Sequence, residues 1–381
     1  MKKTVFFKTM SCLALICLVA GLAGCAKKEA GSTVAGADKG ASQSATRTIV
    51  DQVGNTVHLP EKIERVVIAS VWPLASVYCQ MFGTDKLVGL DPAIVSAAEN
   101  SMLIKIAPDI GTIETGFSKN GNLNAEELLA LDPDVVFYTS GVMADYDIAT
   151  QAGIPAVGFS LSIKDYNAVE TIHTWIEQLA AVMGIDPGDN SAYLEYGRRI
   201  QQLVAERIAT VPEEERPQAM FIHRYDNATL AVPGSGTWAD YWITASGARN
   251  VAAENTGTPS VSIEQIYSWN PERIYITNFN DALPEDLYGN VLGGHDWSSV
   301  AAVQEQQVKK VPLGIYRWYV TNTDSPLMLL WMAKQHHPDL FADIDLDKTV
   351  ADFYKEFYNL DLTAEDIQSI WNPVREAAGG A

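Results

Sequence analysis

Short apolar runs alternate with amphipathic stretches along the first part of the chain. The apolar runs have the length and β-branched content of buried strands. They cover residues 65–70, 86–90, 134–138 and 155–159. In residues 72–82 and 124–131, apolar residues recur at the spacing of helices. In residues 48–59, apolar and polar residues alternate on both sides of Gly54-Asn55, which predicts an antiparallel hairpin. Strands that alternate with helices favour an α/β fold with parallel sheets.

The strand pattern stops between residues 166 and 212. Apolar side chains recur there at helical spacing, as at Val169, Ile172, Ile176, Leu179 and Met183. We therefore expect a helical connector over 166–212 between two α/β lobes, which cover 47–165 and 213–381.

The second half of the chain repeats the first in the order of its elements. Residues 262–276 match residues 124–138 in their capping residue, a Glu two positions later, a Pro nine positions later and an apolar strand. Two similar lobes leave a cleft between them, and domain interfaces are frequent sites of small-molecule binding.

Composition narrows the classes of protein. The 381 residues are 47% hydrophobic and carry a formal net charge of -20, with 27 Lys and Arg against 47 Asp and Glu. This balance excludes a surface for nucleic acid. A single long apolar run, at the N-terminus, excludes a polytopic membrane protein.

The N-terminus has the features of a secretory signal. Lys2, Lys3 and Lys8 precede the apolar run 13–19, and Leu22-Ala23-Gly24-Cys25 follows it. The tetrapeptide resembles the lipobox of bacterial lipoproteins, in which the Cys sulfur carries a diacylglycerol. The resemblance implies a signal peptide over 1–24, a lipidated Cys25 and, up to residue 46, a flexible tether rich in small and polar residues. An ordinary secretory signal with a chance cysteine is the alternative.

Together, these segments resemble the substrate-binding lipoproteins of bacterial ABC importers, in the class that carries ferric siderophores, haem, cobalamin and related metal chelates. The resemblance covers residues 48–371. It rests on the segment 49–57 with Pro60, on Arg65-Val66-Val67, on the two repeated segments and on the lipobox.

The resemblance implies a class III periplasmic binding protein: two Rossmann-like lobes, one long rigid helix between them and a shallow ligand cleft. It implies a monomer without enzymatic activity or covalent cofactor, apart from the lipid. This monomer would be anchored at the extracytoplasmic face of the cell membrane, in a periplasm or at the cell surface. It would deliver its ligand to a permease dimer with its ATPase.

The resemblance also gives a role to Glu126 and Glu264, the glutamates of the repeated segments. Family members present one acidic residue on each lobe to arginines of the permease, and exposed carboxylates can set register by charge. The alternative is that each glutamate only stabilises the first turn of its helix, after the N-caps Asn124 and Ser262.

Residues that follow strand ends are candidates for ligand contact. We predict a ligand site formed by Trp72, Ser140, Gly141, His223, Arg224, Tyr225, Trp238, Tyr316, Arg317 and Trp318. Aromatic rings pack against a planar or apolar chelate, and guanidinium groups bind its anionic oxygens. Core packing is the alternative for the aromatic residues, and an exposed position is the alternative for the arginines.

The six histidines show no zinc-site spacing, so direct chelation by the protein is not expected. His223 is the exception, since it could complete the coordination of a chelated metal. We expect His336 and His337 at a solvated helix end, and Cys79 as a buried, inert thiol.

No nucleotide-binding or hydrolase motif is present, although an anchored hydrolase with an unrecognised triad stays a remote alternative. A surface adhesin would have no use for a cleft. A ferric siderophore is the default ligand of the class, and a corrinoid, haem or a nickel chelate are alternatives.

Cys25→Ser should release the protein from membranes without changing its melting temperature, because the anchor precedes the folded part. Cell fractionation and thermal melting measure the two effects. A variant that remains in the membrane pellet would contradict lipidation at Cys25.

Overall fold

The computed structural model describes residues 46–378. The predicted signal peptide, Cys25 and the predicted tether up to residue 45 lie outside the described residues. An antiparallel hairpin opens the described part, as the pattern around Gly54 predicts, and its turn has Gly54 at φ 92°. Its strands are β1 (Thr46–Val50) and β2 (Thr56–Pro60).

The first sheet has four parallel strands in the order β4-β3-β7-β8. The strands of this half are β3 (Val66–Ile68), β4 (Leu87–Leu90), β5 (Ser118–Lys119), β6 (Asn122–Leu123), β7 (Val135–Thr139) and β8 (Ala156–Phe159). The helices are α1 (Leu74–Phe82), α2 (Pro92–Glu99), α3 (Leu103–Ile106), α4 (Ala125–Ala130) and α5 (Met143–Gln151). The strands and helices expected in this half are present, with ends within two residues of the predicted ones.

The connector consists of two helices, α6 (Ala168–Met183) and α7 (Ser191–Ile208). Gly184 ends α6 in the left-handed conformation at φ 71°, which glycine adopts without strain. The break falls where the apolar periodicity stops, so the connector is not one continuous helix.

The second sheet also has four parallel strands, in the order β12-β9-β13-β14. The strands of this half are β9 (Gln218–Ile222), β10 (Arg224–Tyr225), β11 (Leu230–Ala231), β12 (Arg249–Asn250), β13 (Arg273–Ile276) and β14 (Val308–Lys310). The helices are α8 (Trp238–Ala245), α9 (Ile263–Trp269), α10 (Pro284–Tyr288), α11 (Ala301–Gln304), α12 (Ser325–His336), α13 (Leu346–Tyr358) and α14 (Ala364–Trp371).

The two sheets have equivalent strand orders, and the internal repeat occupies equivalent positions in them. Helix α4 leads into β7 and α9 leads into β13, each strand third in its sheet. Asp132 at φ 46° and Asn270 at φ 44°, each followed by a proline, turn the chain between helix and strand in both copies. The fold is therefore the two-lobe α/β arrangement that the sequence predicts.

One hydrophobic core runs through both lobes. It joins residues of the first sheet, such as Ile68 and Phe137, to Phe221 and Tyr275 of the second through the connector and α12. Helix α12 is buried over nearly its whole length and packs on α6, α7 and α8. Separating the lobes would expose this shared core to water, so the packing favours lobe movements of small amplitude.

The carboxylate of Asp324, at the start of α12, is fully buried and organises the loop before it. Its Oδ2 accepts hydrogen bonds from the backbone N–H of Ile315 at 2.8 Å, from Trp318 Nε1 at 2.7 Å and from Tyr354 Oη at 2.6 Å. Burial raises the pKa of Asp324 to about 6, against the opposing effect of these hydrogen bonds.

The prediction that His336 lies at a solvated end of α12 is wrong. Its side chain is buried against α8, with Nδ1 at 3.0 Å from Ser246 Oγ, and burial lowers the pKa of His336 to about 3. His337 Nε2 lies 2.8 Å from the carbonyl oxygen of Gly247. The histidines dock α12 on α8, a long-range contact that a local helix-end pattern does not reveal. Cys79 is buried as predicted, and burial raises the pKa of its thiol to about 12.

Asp324→Ala should lower the free energy of unfolding by about 3 kcal/mol or more, because it leaves several buried donors without an acceptor. Chemical denaturation measures the change. The exposed Asp339→Ala is the control and should be nearly neutral. A small effect of Asp324→Ala would show that the loop before α12 is held by its apolar contacts alone.

Candidate functional site

A cavity of about 660 Å³ lies between the carboxyl edges of the two sheets. Residues of both lobes line it, as expected for a site where the strand ends of parallel sheets converge. From the first lobe these are Ser70, Trp72, Pro73, Asp91, Gly121, Leu123, Val142, Asp145, Leu161 and Tyr166. From the second they are His223, Gly236, Thr237, Trp238, Gly257, Thr258, Phe279, Tyr316, Tyr319 and Val320.

Aromatic rings form most of the wall on the second lobe. The ring of Tyr319 lies 5.6 Å from His223, 6.2 Å from Trp238 and 6.2 Å from Phe279, centroid to centroid. Tyr166, just before the connector, meets Trp238 edge to face at 5.9 Å. Such a wall suits a ligand with a large apolar or planar surface.

Three nitrogen atoms of lining residues are buried without a hydrogen-bond partner in the described part of the chain: Trp72 Nε1, Trp238 Nε1 and His223 Nδ1. A buried unpaired donor costs free energy, and an acceptor on a ligand would recover it. Burial and the nearby Arg224 lower the pKa of His223. The imidazole is therefore neutral at pH 7, the form that coordinates metals.

Two carboxylates lie in the wall of the first lobe. Asp91 caps α2 by accepting from Ala93 N at 2.9 Å and also accepts from Ser118 Oγ at 2.7 Å. Asp145, in the first turn of α5, accepts hydrogen bonds from the hydroxyl and the backbone N–H of Ser70. Desolvation by burial raises the pKa of Asp145, and the negative charge of Asp91 adds to this effect.

The structure brings four of the predicted ligand residues into the cavity: Trp72, His223, Trp238 and Tyr316. Arg224 and Tyr225 line an adjoining cavity of about 470 Å³, which shares Trp72, His223 and Phe279 with the main one. Arg224 is paired there with Asp226.

The other four predicted residues are outside both linings. Ser140 and Gly141 border the main cavity through Val142, which follows them. Trp318 is fully buried because its indole binds Asp324, and Arg317 is buried with its guanidinium carbon 4.7 Å from the ring centroid of Phe279. Arg317 therefore packs on a ring of the aromatic wall without lining either cavity, and its contact with the ligand stays a prediction.

Sequence reasoning missed several lining residues. Asp91 directly follows β4 and Phe279 follows β13, so the rule that sites gather at strand ends could have found both. Asp145 belongs to a helix, and Tyr166 to the irregular segment before α6, where its φ is 63°; no local sequence signal sets either apart.

The described residues contain no group of three or more His, Cys, Asp and Glu side chains that could hold a metal ion. Within the same residues, no helix is long and apolar enough to cross a bilayer.

Glu126 and Glu264 occupy equivalent places. Each is exposed and is the second residue of its helix, after the side-chain caps Asn124 and Ser262. Lining residues come shortly before both helices, Leu123 in the first lobe and Thr258 in the second. Both glutamates therefore lie in helices that come shortly after cavity-lining residues in the sequence.

Comparison with known proteins defines the class. A family model described as periplasmic binding protein matches residues 75–312, and the chain belongs to this family. The chain is 28% identical over 341 residues to the molybdate-binding protein MolA of Haemophilus influenzae, a match that covers 83% of this chain and 92% of MolA.

Solved structures agree with this assignment. A periplasmic solute binding protein from Veillonella parvula superposes with a TM-score of 0.76 at 29% identity, covering 86% of this chain and 97% of that one. MolA bound to molybdate gives 0.69 at 25% identity, covering 83% and 99%. The chain is an extracytoplasmic solute-binding protein of an ABC importer and not an enzyme.

Proposed function

We propose that this chain captures a metal chelate, with a ferric siderophore as the first candidate, and delivers it to its importer. The observation that carries the proposal is the cavity between the lobes, with its aromatic wall and the neutral imidazole of His223. A chelate offers apolar surface to the rings, acceptor oxygens to the unpaired nitrogens and a metal to the imidazole. Haem, a corrinoid and a nickel chelate satisfy the same requirements.

Molybdate is the second candidate, because MolA is similar over most of the chain. The cavity favours a larger ligand, since about 660 Å³ is at the scale of sites for drug-sized molecules. None of the lining residues is Lys or Arg, whereas a small oxyanion is best held by cationic or amide donors.

We further propose where the protein is located, how its lobes divide the chain and which partner it delivers the ligand to. The lipid on Cys25 holds a monomer at the extracytoplasmic face of the membrane. The lobes are 47–165 and 213–381, joined by 166–212. The partner is a permease dimer with its ATPase, docked through Glu126 and Glu264, whose exposed and equivalent positions in the two lobes support this role.

Quenching of tryptophan fluorescence should identify the ligand class in a panel of a ferric trihydroxamate, a ferric catecholate, haem, a corrinoid, nickel–histidine and molybdate. We expect one chelate to bind tightly and His223→Ala to weaken it about tenfold, or about 1.4 kcal/mol. The exposed His58→Ala should leave the affinity unchanged. Tight binding of molybdate alone would overturn the chelate proposal in favour of the second candidate.

Glu126→Arg combined with Glu264→Arg should abolish uptake while leaving ligand affinity intact, because charge reversal converts attraction to the permease into repulsion. Uptake by cells at limiting ligand, together with affinity in solution, tests this separation. Glu305→Arg with Glu356→Arg makes the same charge change at other exposed positions and should transport normally. Normal uptake by the Glu126 and Glu264 variant would contradict the docking role and would show that both residues only stabilise their helices.

A further inference from the structure

The charges around the main cavity are distributed asymmetrically. Asp91 and Asp145 are the charged residues of the lining, and no lysine or arginine accompanies them. Two cations lie nearby outside this lining: Arg317 packs on the ring of Phe279, and Arg224 is paired with Asp226 in the adjoining cavity. The aromatic wall and His223 belong to the second lobe, so the acidic groups face an uncharged surface.

Both carboxylates are deeply buried, with Asp91 5% and Asp145 2% exposed. Neither takes part in an ion pair within residues 46–378, and the groups that bind them are neutral: Ser118 and the Ala93 N–H for Asp91, Ser70 for Asp145. Buried carboxylates are ordinarily paired with a cation, because desolvating an unpaired charge is expensive.

The two acids also act on one another, since the charge of Asp91 opposes ionisation of Asp145. Asp91 caps α2, and Asp145 lies in the first turn of α5, where a carboxylate suits the helix dipole, but neither role pairs the carboxylate with a cation. A positive group placed between the lobes would reduce the repulsion between the two carboxylates and would also give them the cationic partner that they lack.

We infer that the ligand carries a cationic group, such as a protonated amine, that binds at Asp91 and Asp145 while its apolar or metal-bearing body packs on the aromatic wall. This inference rests on the proposed function for the body of the ligand. For the charge it rests on the two carboxylates. An anionic chelate would meet repulsion at the first lobe and find no lining cation.

The test uses three ferric trihydroxamates with one common body: a linear chelate with a pendant ammonium, its N-acetylated neutral form and its N-succinylated anionic form. We expect the ammonium form to bind about tenfold more tightly than the acetylated form, as one charged hydrogen bond predicts. The succinylated form should bind most weakly. Equal affinities, or a preference for the anionic form, would overturn the inference.

Variants of Asp145 and Asp91 test whether these residues cause the preference for the ammonium form. Asp145→Asn should remove the preference for the ammonium form and change the affinity for the acetylated form less than about twofold. Asp147→Asn, two residues along the same helix and exposed, should retain the preference. Asp91→Asn is a second variant that keeps a good N-cap on α2, and it should reduce the preference in the same direction. A preference that survives both lining variants would also overturn the inference.

A metal-free pair separates this inference from the proposed function. 2-Phenylethylammonium should perturb the fluorescence of the apo protein at lower concentration than 3-phenylpropionate, and Asp145→Asn should erase the difference. If the cation is preferred but no chelate binds, the charge inference holds and the chelate proposal fails. If the cation is not preferred, the inference fails whatever the chelates do.

Discussion

The buried carboxylate of Asp324 is the constraint on which the binding cavity depends. It gathers the backbone of Ile315, the indole of Trp318 and the hydroxyl of Tyr354, and thereby fixes the loop that carries Tyr316 and Tyr319 into the cavity. The adjacent Thr323 accepts a hydrogen bond from Tyr193 of α7 at its carbonyl oxygen. A single buried network thus ties the aromatic wall to the connector. The cost of burying the charge is offset by the donors that converge on it.

The shared core explains how a cavity can persist between two lobes. Because the connector and α12 are packed against both sheets, the lobes hold their separation without a ligand. The cavity walls are therefore largely pre-formed, and little ordering of side chains is needed on binding. Such an arrangement suits a carrier that must present its ligand to a membrane partner in a nearly constant shape.

Acidic residues exceed basic ones both across the whole chain and in the lining of the cavity. Across the chain, the excess of acidic residues keeps the protein apart from polyanions and supplies exposed carboxylates such as Glu126 and Glu264. Inside the cavity, Asp91 and Asp145 act at short range in a medium that screens charge poorly. In the proposed function, the exposed acids orient the encounter with the permease, and the buried acids favour a ligand with a cationic group.

The sequence alone determined the longer elements of the first lobe and the internal repeat, because hydrophobic periodicity and capping residues act over a few positions. The class of the protein came from the resemblance of these segments to a known family. The match between residues 124–138 and 262–276 anticipated two equivalent sheets. The tertiary structure decided which side chains meet. The indole of Trp318 binds Asp324 and does not line the cavity, Arg317 packs on Phe279, and His336 is buried because α12 docks on α8. Asp145 enters the lining from within a helix. The direction of a loop or helix side chain depends on contacts with residues far away in the sequence, and no local pattern encodes those contacts.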